Sequence, residues 1–289
     1  MLIRNLELSE HKQKVARVYN LAAAGYDRPA LRFFPVIAER LVELARIRAG
    51  ENVLDAGTGT GMAALAAAEQ VGLSGRVIGV DIGEEILNQA FQKLDLGAQS
   101  PIAFLLGDME HLEFPDGCFE AVLSASSLFF LPDMPSGLNE WKRVLKPGGR
   151  MAVSGYGGSA FRPLSDLFEA RIRSYGVQLA APVRPFSWQR LTEPEQCLSL
   201  FRNAGLENIE VFSEQLGYQL NYADEWWDIV WNSGFRGSVS QLTPEQLEQF
   251  KGEHLAEVER LKTSKGIWLD VAAIFAIGHK PYSSNKERL

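Results

Sequence analysis

The alternation of element types between Asn52 and Tyr156 constrains this chain more than any other feature. Short apolar runs at 52–56, 76–80, 101–106, 119–124 and 150–156 read as strands, and the amphipathic stretches at 60–72, 84–96 and 135–145 read as helices. A parallel strand pair needs a crossover long enough to hold a helix, so this rhythm specifies a doubly wound α/β sheet. With 46% hydrophobic residues in 289, the chain can bury one large core.

The first strand runs into Val53-Leu54-Asp55-Ala56-Gly57-Thr58-Gly59-Thr60-Gly61, an acid followed by three glycines at alternate positions. Glycine supplies positive φ and close backbone approach, and a helix opening there presents unpaired N–H groups to a ligand. The stretch reads as a nucleotide-like cofactor cradle. Its spacing is G-x-G-x-G, with Met62 where the dinucleotide fingerprint needs a third glycine, so a nicotinamide cofactor is disfavoured. A cofactor carrying an ammonium group and a sulfonium would instead favour a carboxylate at Asp55, and S-adenosylmethionine carries both. Asp81 ends the second apolar strand, where an acid can accept from both ribose hydroxyls. Asp108 ends the third, placed to accept from an adenine amino group with Met109 on the ring. Asp55 and Asp81 could equally cap the helices that follow them.

Four segments together carry a family resemblance: Val53 to Gly61, Val77 to Asp81, Leu106 to Glu110 with Phe114-Pro115-Asp116-Gly117, and Arg143 to Arg150. In these the chain resembles the class I S-adenosylmethionine-dependent methyltransferases, particularly the ubiquinone/menaquinone-biosynthesis kind (methyltransferase type 11), over about residues 15–156. The resemblance implies a Rossmann-like methyltransferase fold, a mostly parallel seven-stranded sheet with its last strand antiparallel. It also puts Asp55 and the Gly57, Thr58, Gly59 and Gly61 backbone on the methionine part, Asp81 on the ribose, and Asp108 and Met109 on the adenine. Ile82 and Ser124 count as further cofactor contacts, and Tyr26, with Asp27, matches the segment that folds over the cofactor in this family. Tyr26 could also be a hydrogen-bonded phenol in a helix-to-helix turn.

Outside that region the chain organises as a helical lid over 1–50, with helices at 9–24 and 31–48 about the breaker Gly25 to Pro29, and a catalytic domain over 51–289. The domain carries two excursions, 157–191 and 221–265, of the length that makes lids or binding loops. Strands are expected at 208–219 and from Leu269 to Ile277, helices at 161–175 and after the capping boxes at Thr192 and Thr243, and disorder after Pro281. Pro147-Gly148 suits a structural type II turn.

Methyl transfer from a sulfonium is an in-line displacement that alignment and exclusion of water can largely drive. A base is needless for a carboxylate, useful for a phenol or amine, and essential for an unactivated alcohol or carbon acid. After the fourth strand, where relatives often place a histidine near the position of Phe130, this chain has none. His254, on the stripe Leu247, Phe250, His254, Val258, Leu261, is the candidate base, with a buried structural histidine as the commoner reading. Trp227 and Trp231 lie one helical turn apart and either seal the cover or line the acceptor site. With Tyr19, Phe129, Tyr156 and Trp188 they make the candidate substrate contacts, and with Phe161, Phe186 and Phe235 they suggest a roomy apolar pocket.

The 29 basic and 36 acidic residues give a net charge of −7 with no basic block, which points to a small-molecule acceptor rather than nucleic acid. Cys118 and Cys197 are too few for a disulfide framework or a cysteine-built zinc site, and no metal is expected. No apolar run reaches 18 residues and the N-terminus has no signal-peptide core, so a cytoplasmic protein without membrane insertion is expected. The function implied is S-adenosylmethionine-dependent methylation of a small, largely apolar acceptor, oxygen first. The alternatives are N- or C-methylation, a non-catalytic S-adenosylmethionine-binding protein, or a nicotinamide-dependent oxidoreductase.

Overall fold

Strand β1 (Asn52–Ala56) is buried from Val53 onward, as the central strand of a parallel sheet must be. It pairs in parallel with β2 (Arg76–Asp81) on one side and β4 (Phe119–Ser124) on the other. Beyond them β2 pairs with β3 (Ile102–Leu106) and β4 with β5 (Leu145–Tyr156), again in parallel. Beyond β5 lies β9 (Ala272–His279), antiparallel to both β5 and the edge strand β6 (Glu207–Gln215). The seven-stranded order is therefore β3-β2-β1-β4-β5-β9-β6. Strand order reverses at β1, so the crevice between the carboxyl ends of β1 and β4 is where an open α/β sheet binds its ligand. This computed structural model describes residues 8–94, 100–178 and 187–282.

Helices α2 (Phe33–Ala45) and α3 (Met62–Val71) pack on each other and on the central strands, and α4 (Glu84–Gln92) packs on β3. Helices α5 (Met134–Val144) and α7 (Pro194–Asn203) pack on β5 and on β6 with β9, respectively. Before them α1 (Glu10–Ala22) lies along α4, capped by Ser9.

Three strand expectations change. The run 208–219 is two strands, because it leaves the main sheet at Leu216 and resumes as β7 (Tyr218–Leu220), paired with β8 (Ile267–Leu269) in a separate hairpin-like sheet. Asp270 makes the matching break on the other strand: its carboxylate accepts from Ala272 N, Ser159 Oγ and Gln215 Nε2 at 2.9–3.1 Å, so Leu269 belongs to β8 and not to β9. In β5, pairing starts at Leu145, ahead of the expected 150, and the ladder absorbs the left-handed Gly148 (φ +76°) with a register shift opposite Phe119 and Ala121.

The excursions hold α6 (Leu164–Ser174) and a short 3-10 turn at Ser187–Arg190 in the first, and α8 (Ala223–Trp231), α9 (Arg236–Val239) and α10 (Pro244–Glu259) in the second. Thr243 and Gln246 close the capping box that opens α10. Phe168 packs against Phe250 and His254, while Arg171 bridges Glu253 at 2.8 Å and Glu257. The second excursion also meets the N-terminal segment, through Arg28 with Asp228 at 3.0 Å and the close approach of Gly25 to Asn232. Phe186, the end of the 84–96 helix and the tail from 283 lie outside the described residues.

Candidate cofactor and acceptor site

Gly57, Gly59 and Gly61 all take left-handed φ, at 75, 57 and 82°. A Cβ on Gly57 would stand 2.5 Å from Ser127 Oγ and one on Gly61 2.6 Å from the Phe104 ring, so these two are fixed by space as well as by φ. The turn is stitched to the end of β2, with Gly57 N and Thr58 N donating to Val80 O and Gly59 N donating to Asp81 Oδ2 at 2.8 Å. Asp81 Oδ1 accepts from Gly83 N at 2.9 Å, and burial raises its pKa against those hydrogen bonds.

The cavity beside this turn is walled by Gly57, Gly59, Asp81, Ile82, Ile86, Asp108, Met109, Ala125, Ser126, Ser127, Phe130 and Leu131. From the N-terminal segment Lys12, Val15, Ala16, Tyr19 and Tyr26 close it. Lys12 Nζ lies 2.6 Å from Asp108 Oδ2 and also pairs with Glu110. Burial opposes ionisation of Asp108, but the Lys12 hydrogen bond, with Glu110 N and His111 adding to it, holds its pKa below the usual carboxylate range. Tyr26 stacks on Phe34 with centroids 4.4 Å apart, and Tyr19 stands edge-on to Tyr26 and Phe130 at 5.9 and 5.2 Å.

Among the residues expected to bind cofactor, Tyr26, Gly57, Gly59, Asp81, Ile82, Asp108 and Met109 line this cavity; Asp55, Thr58, Gly61 and Ser124 stand behind it. Ser124 Oγ meets Ser127 Oγ at 2.5 Å, and Ser127 Oγ donates to Ala56 O, so Ser124 braces the wall from inside the sheet. Asp55 is fully buried: its Oδ2 accepts from Thr58 Oγ1 at 2.6 Å and Ala64 N at 3.1 Å, while Oδ1 has no partner. Burial pushes its pKa up to about 7. A buried carboxylate oxygen left without a donor beneath a left-handed glycine turn suits a ligand ammonium group, and on that observation the residues fit S-adenosylmethionine.

The expected substrate contacts fare differently. Of them Tyr19 alone borders the cavity. Phe129, Tyr156 and Trp188 form a buried aromatic layer with Phe161, at centroid distances of 5.0–6.0 Å, behind the wall. Trp227 and Trp231 stack on each other at 6.0 Å, with Arg236 over Trp231 and Phe250 beside Trp227, and so seal the cover instead of facing a pocket. The base expectation for His254 is corrected as well: its Nε2 accepts from Trp226 Nε1 at 2.8 Å, and the ring is fully buried between Phe168 and Phe250. Burial lowers its pKa to about 4. With Nε2 accepting from Trp226, the neutral ring carries its hydrogen on Nδ1, so it has no free lone pair with which to take a proton from an acceptor.

Sequence reading missed Lys12, Ser126 and Ser127. A lysine on a charged helix carries no signal that it turns inward, and serines in the loop after β4 carry none that they face a ligand. Among the described residues no cluster of acids, histidines and cysteines could hold a metal, and no helix is long and apolar enough to cross a membrane.

The family model described as a methyltransferase domain matches residues 54–153, the segment that builds the cradle and the three strand ends. The ubiquinone/menaquinone biosynthesis C-methyltransferase UbiE of Haemophilus ducreyi is 33% identical over 222 residues, covering 72% of this chain and 86% of that protein. Aklanonic acid methyltransferase DauC of Streptomyces sp. is 33% identical over 146 residues, and the nocamycin O-methyltransferase of Saccharothrix syringae is 33% identical over 138. These two alignments take in half and 48% of this chain, and 66% and 49% of the length of those proteins. Among solved structures, the YcgJ protein of Bacillus subtilis superposes with a TM-score of 0.58 at 23% identity, over 86% of this chain and 99% of its own. The chain belongs to the class I S-adenosylmethionine-dependent methyltransferases.

Proposed function

We propose that the protein binds S-adenosylmethionine in this cavity and methylates a small, largely apolar acceptor on oxygen. One observation carries the reading: three acids at the ends of three adjacent strands surround a left-handed glycine turn, and the deepest of them keeps an unsatisfied oxygen. Asp55 Oδ1 would accept from the cofactor's ammonium group. Asp81 and Asp108, whose oxygens each keep a second lone pair, would accept from the ribose hydroxyls and the adenine amino group, with Met109 on the ring. The bound cofactor supplies a methyl group on a sulfonium, open to in-line displacement. The chain's part is to align the acceptor and exclude water. The acceptor would meet the cofactor at the cavity end bounded by Tyr19, Ser126 and Phe130. The N-terminal segment and the two excursions form the cover over that end.

The relatives include both an O-methyltransferase and a C-methyltransferase, which supports oxygen and carbon alike as the methylated atom. Carbon methylation is the second reading, and the missing base in the cavity weighs against it, because a carbon acid must lose a proton. Calorimetric titration tests the cofactor: S-adenosylmethionine binds and NADH does not. Binding of NADH alone would overturn the proposal. Release of S-adenosylhomocysteine in the presence of a metabolite extract then separates an enzyme from a non-catalytic binder.

A further inference from the structure

Ser126 is one of the few non-glycine residues with left-handed φ, at 52°, and it lines the cavity. Strain of this kind persists where surrounding structure holds a side chain in place for use. Its backbone N–H donates to Ser154 Oγ at 3.0 Å, and the two hydroxyl oxygens lie 3.4 Å apart. Tyr156 also lies within hydrogen-bonding reach of Ser126; with the Tyr156 and Ser154 hydroxyls both turned to donate to Ser126 Oγ, the Ser126 hydroxyl hydrogen is left for the cavity. From α1 the Tyr19 phenol lines the same cavity; it makes no hydrogen bond among the described residues, and a Cβ on Gly234 of the cover would approach its oxygen to 3.1 Å. Burial, with Tyr156 and Asp81 nearby, raises the Tyr19 pKa well above its ordinary value, so it stays a neutral donor at any working pH. The cavity thus offers two neutral donors, one from α1 and one from the segment after β4. Its described ionisable groups are otherwise committed: Asp81 to Gly59 and Gly83, Asp108 to Lys12.

Resting on the methyl-transfer reading above, we infer that the acceptor is a carboxylic acid, whose ionised oxygens are held by Tyr19 Oη and Ser126 Oγ. A carboxylate is already deprotonated at neutral pH, so it needs no base, and it needs donors to enter an apolar site. The carboxylate oxygen forms the new bond to the methyl carbon as the carbon–sulfur bond breaks and its electron pair stays on sulfur. The products are a methyl ester and a neutral thioether, and no proton is released. Tyr19 and Ser126 touch the reacting group and set which acceptors can be held.

The test uses the full chain with 2-naphthoic, 4-phenylbenzoic and dodecanoic acids, each against the alcohol of the same skeleton. Binding is read by calorimetry in the presence of S-adenosylhomocysteine, and products are read by mass spectrometry before and after mild alkali. Expected are binding of at least one acid, base-labile methyl esters, no ether from the alcohols, and kcat/KM flat from pH 6 to 9. Tyr19→Phe and Ser126→Ala each weaken acid binding about tenfold or more, as loss of a hydrogen bond to a charged group does, with affinity for S-adenosylhomocysteine unchanged within about threefold. Alkali-stable ethers, a rate that climbs with pH, or an enzyme that binds S-adenosylhomocysteine but none of the acids would overturn the inference. Failure to bind S-adenosylhomocysteine at all would overturn the methyltransferase reading on which it rests.

Discussion

In the proposed site Asp55 would serve the turn and the ligand at once. Its Oδ2 holds Thr58 and the start of α3, and its Oδ1 has no partner among the described residues. Asp55→Asn keeps an acceptor for Thr58 while removing the charge, so S-adenosylmethionine binding falls at least about tenfold, the scale of one charge-assisted hydrogen bond. Thermal stability of the ligand-free variant at pH 8 is at least that of wild type, because an unpaired buried charge has gone; a lower Tm with unchanged affinity would refute this division of labour. Stability against pH follows from two buried groups of opposite sign. Burial raises Asp55 from 3.8 to about 7, so between those values the folded chain keeps a proton the unfolded chain has lost, and this contribution falls as pH rises. Burial lowers His254 from 6.5 to about 4, so its contribution is lost as pH falls through that window. The two oppose each other. His254→Gln, whose amide oxygen can still accept from Trp226, removes the second and leaves the first. Relative to wild type the variant is therefore favoured more at pH 5 than at pH 7.5 in calorimetric Tm, and its turnover profile between pH 6 and 9 matches wild type.

At the level of elements, α1 is the piece whose role depends on a single side chain. Lys12 joins it to Asp108 and Glu110, His11 reaches Phe130 O at 2.9 Å, and behind the helix Asp27 takes Thr60 Oγ1 and Lys93 Nζ at 2.7 and 2.6 Å. Lys12→Met leaves two neighbouring half-buried carboxylates facing each other without their cation, and costs about 2 kcal/mol of unfolding free energy, below the ~3–5 kcal/mol of a fully buried pair. Urea unfolding measures it, and hydrogen exchange over residues 10–22 speeds up while that of β1 does not. Strands β1 to β4 were legible because period and turn residues pointed the same way, with terminal acids adding to them at β1, β2 and β3, whereas β5 was legible only from Arg150 on. Lys12 was not, since an inward lysine and a solvated one have the same sequence context. Nor were Trp227 and Trp231: an aromatic pair one turn apart looks identical whether it lines a pocket or lies under Arg236. The β6–β7 break depended on Asp270, some fifty residues on, which local pattern does not reach.

In the whole molecule the rigid and yielding parts are separated by how they are held. The sheet meets the excursions through buried aromatic contacts of Tyr156 with Phe161 and Trp188, and α6, α8 and α10 are held together by Trp226, Phe168 and Phe250 enclosing His254; such packing opens only with the fold itself. The N-terminal segment closes the cavity through the Tyr19 and Tyr26 rings together with ion pairs and single hydrogen bonds, Lys12 and His11 at one end and Arg28 to Asp228 at the other. Polar contacts of that kind can exchange without loss of the core, and the expected outcome is that ligand entry runs past α1 and not through the cover. A ligand at about one hundred times its dissociation constant stabilises the chain by about 2.7 kcal/mol. For a chain of this size, at roughly 2 °C per kcal/mol, the Tm rises about 5 °C with S-adenosylhomocysteine. The distribution of that gain is the sharper test. Hydrogen exchange slows over residues 10–22 and 57–61, whose groups close on the ligand, and stays unchanged over α10, whose packing is complete without it. Slowing spread evenly across α8 and α10 would mean that the cover closes as the mobile part, and α1 would then be a fixed wall.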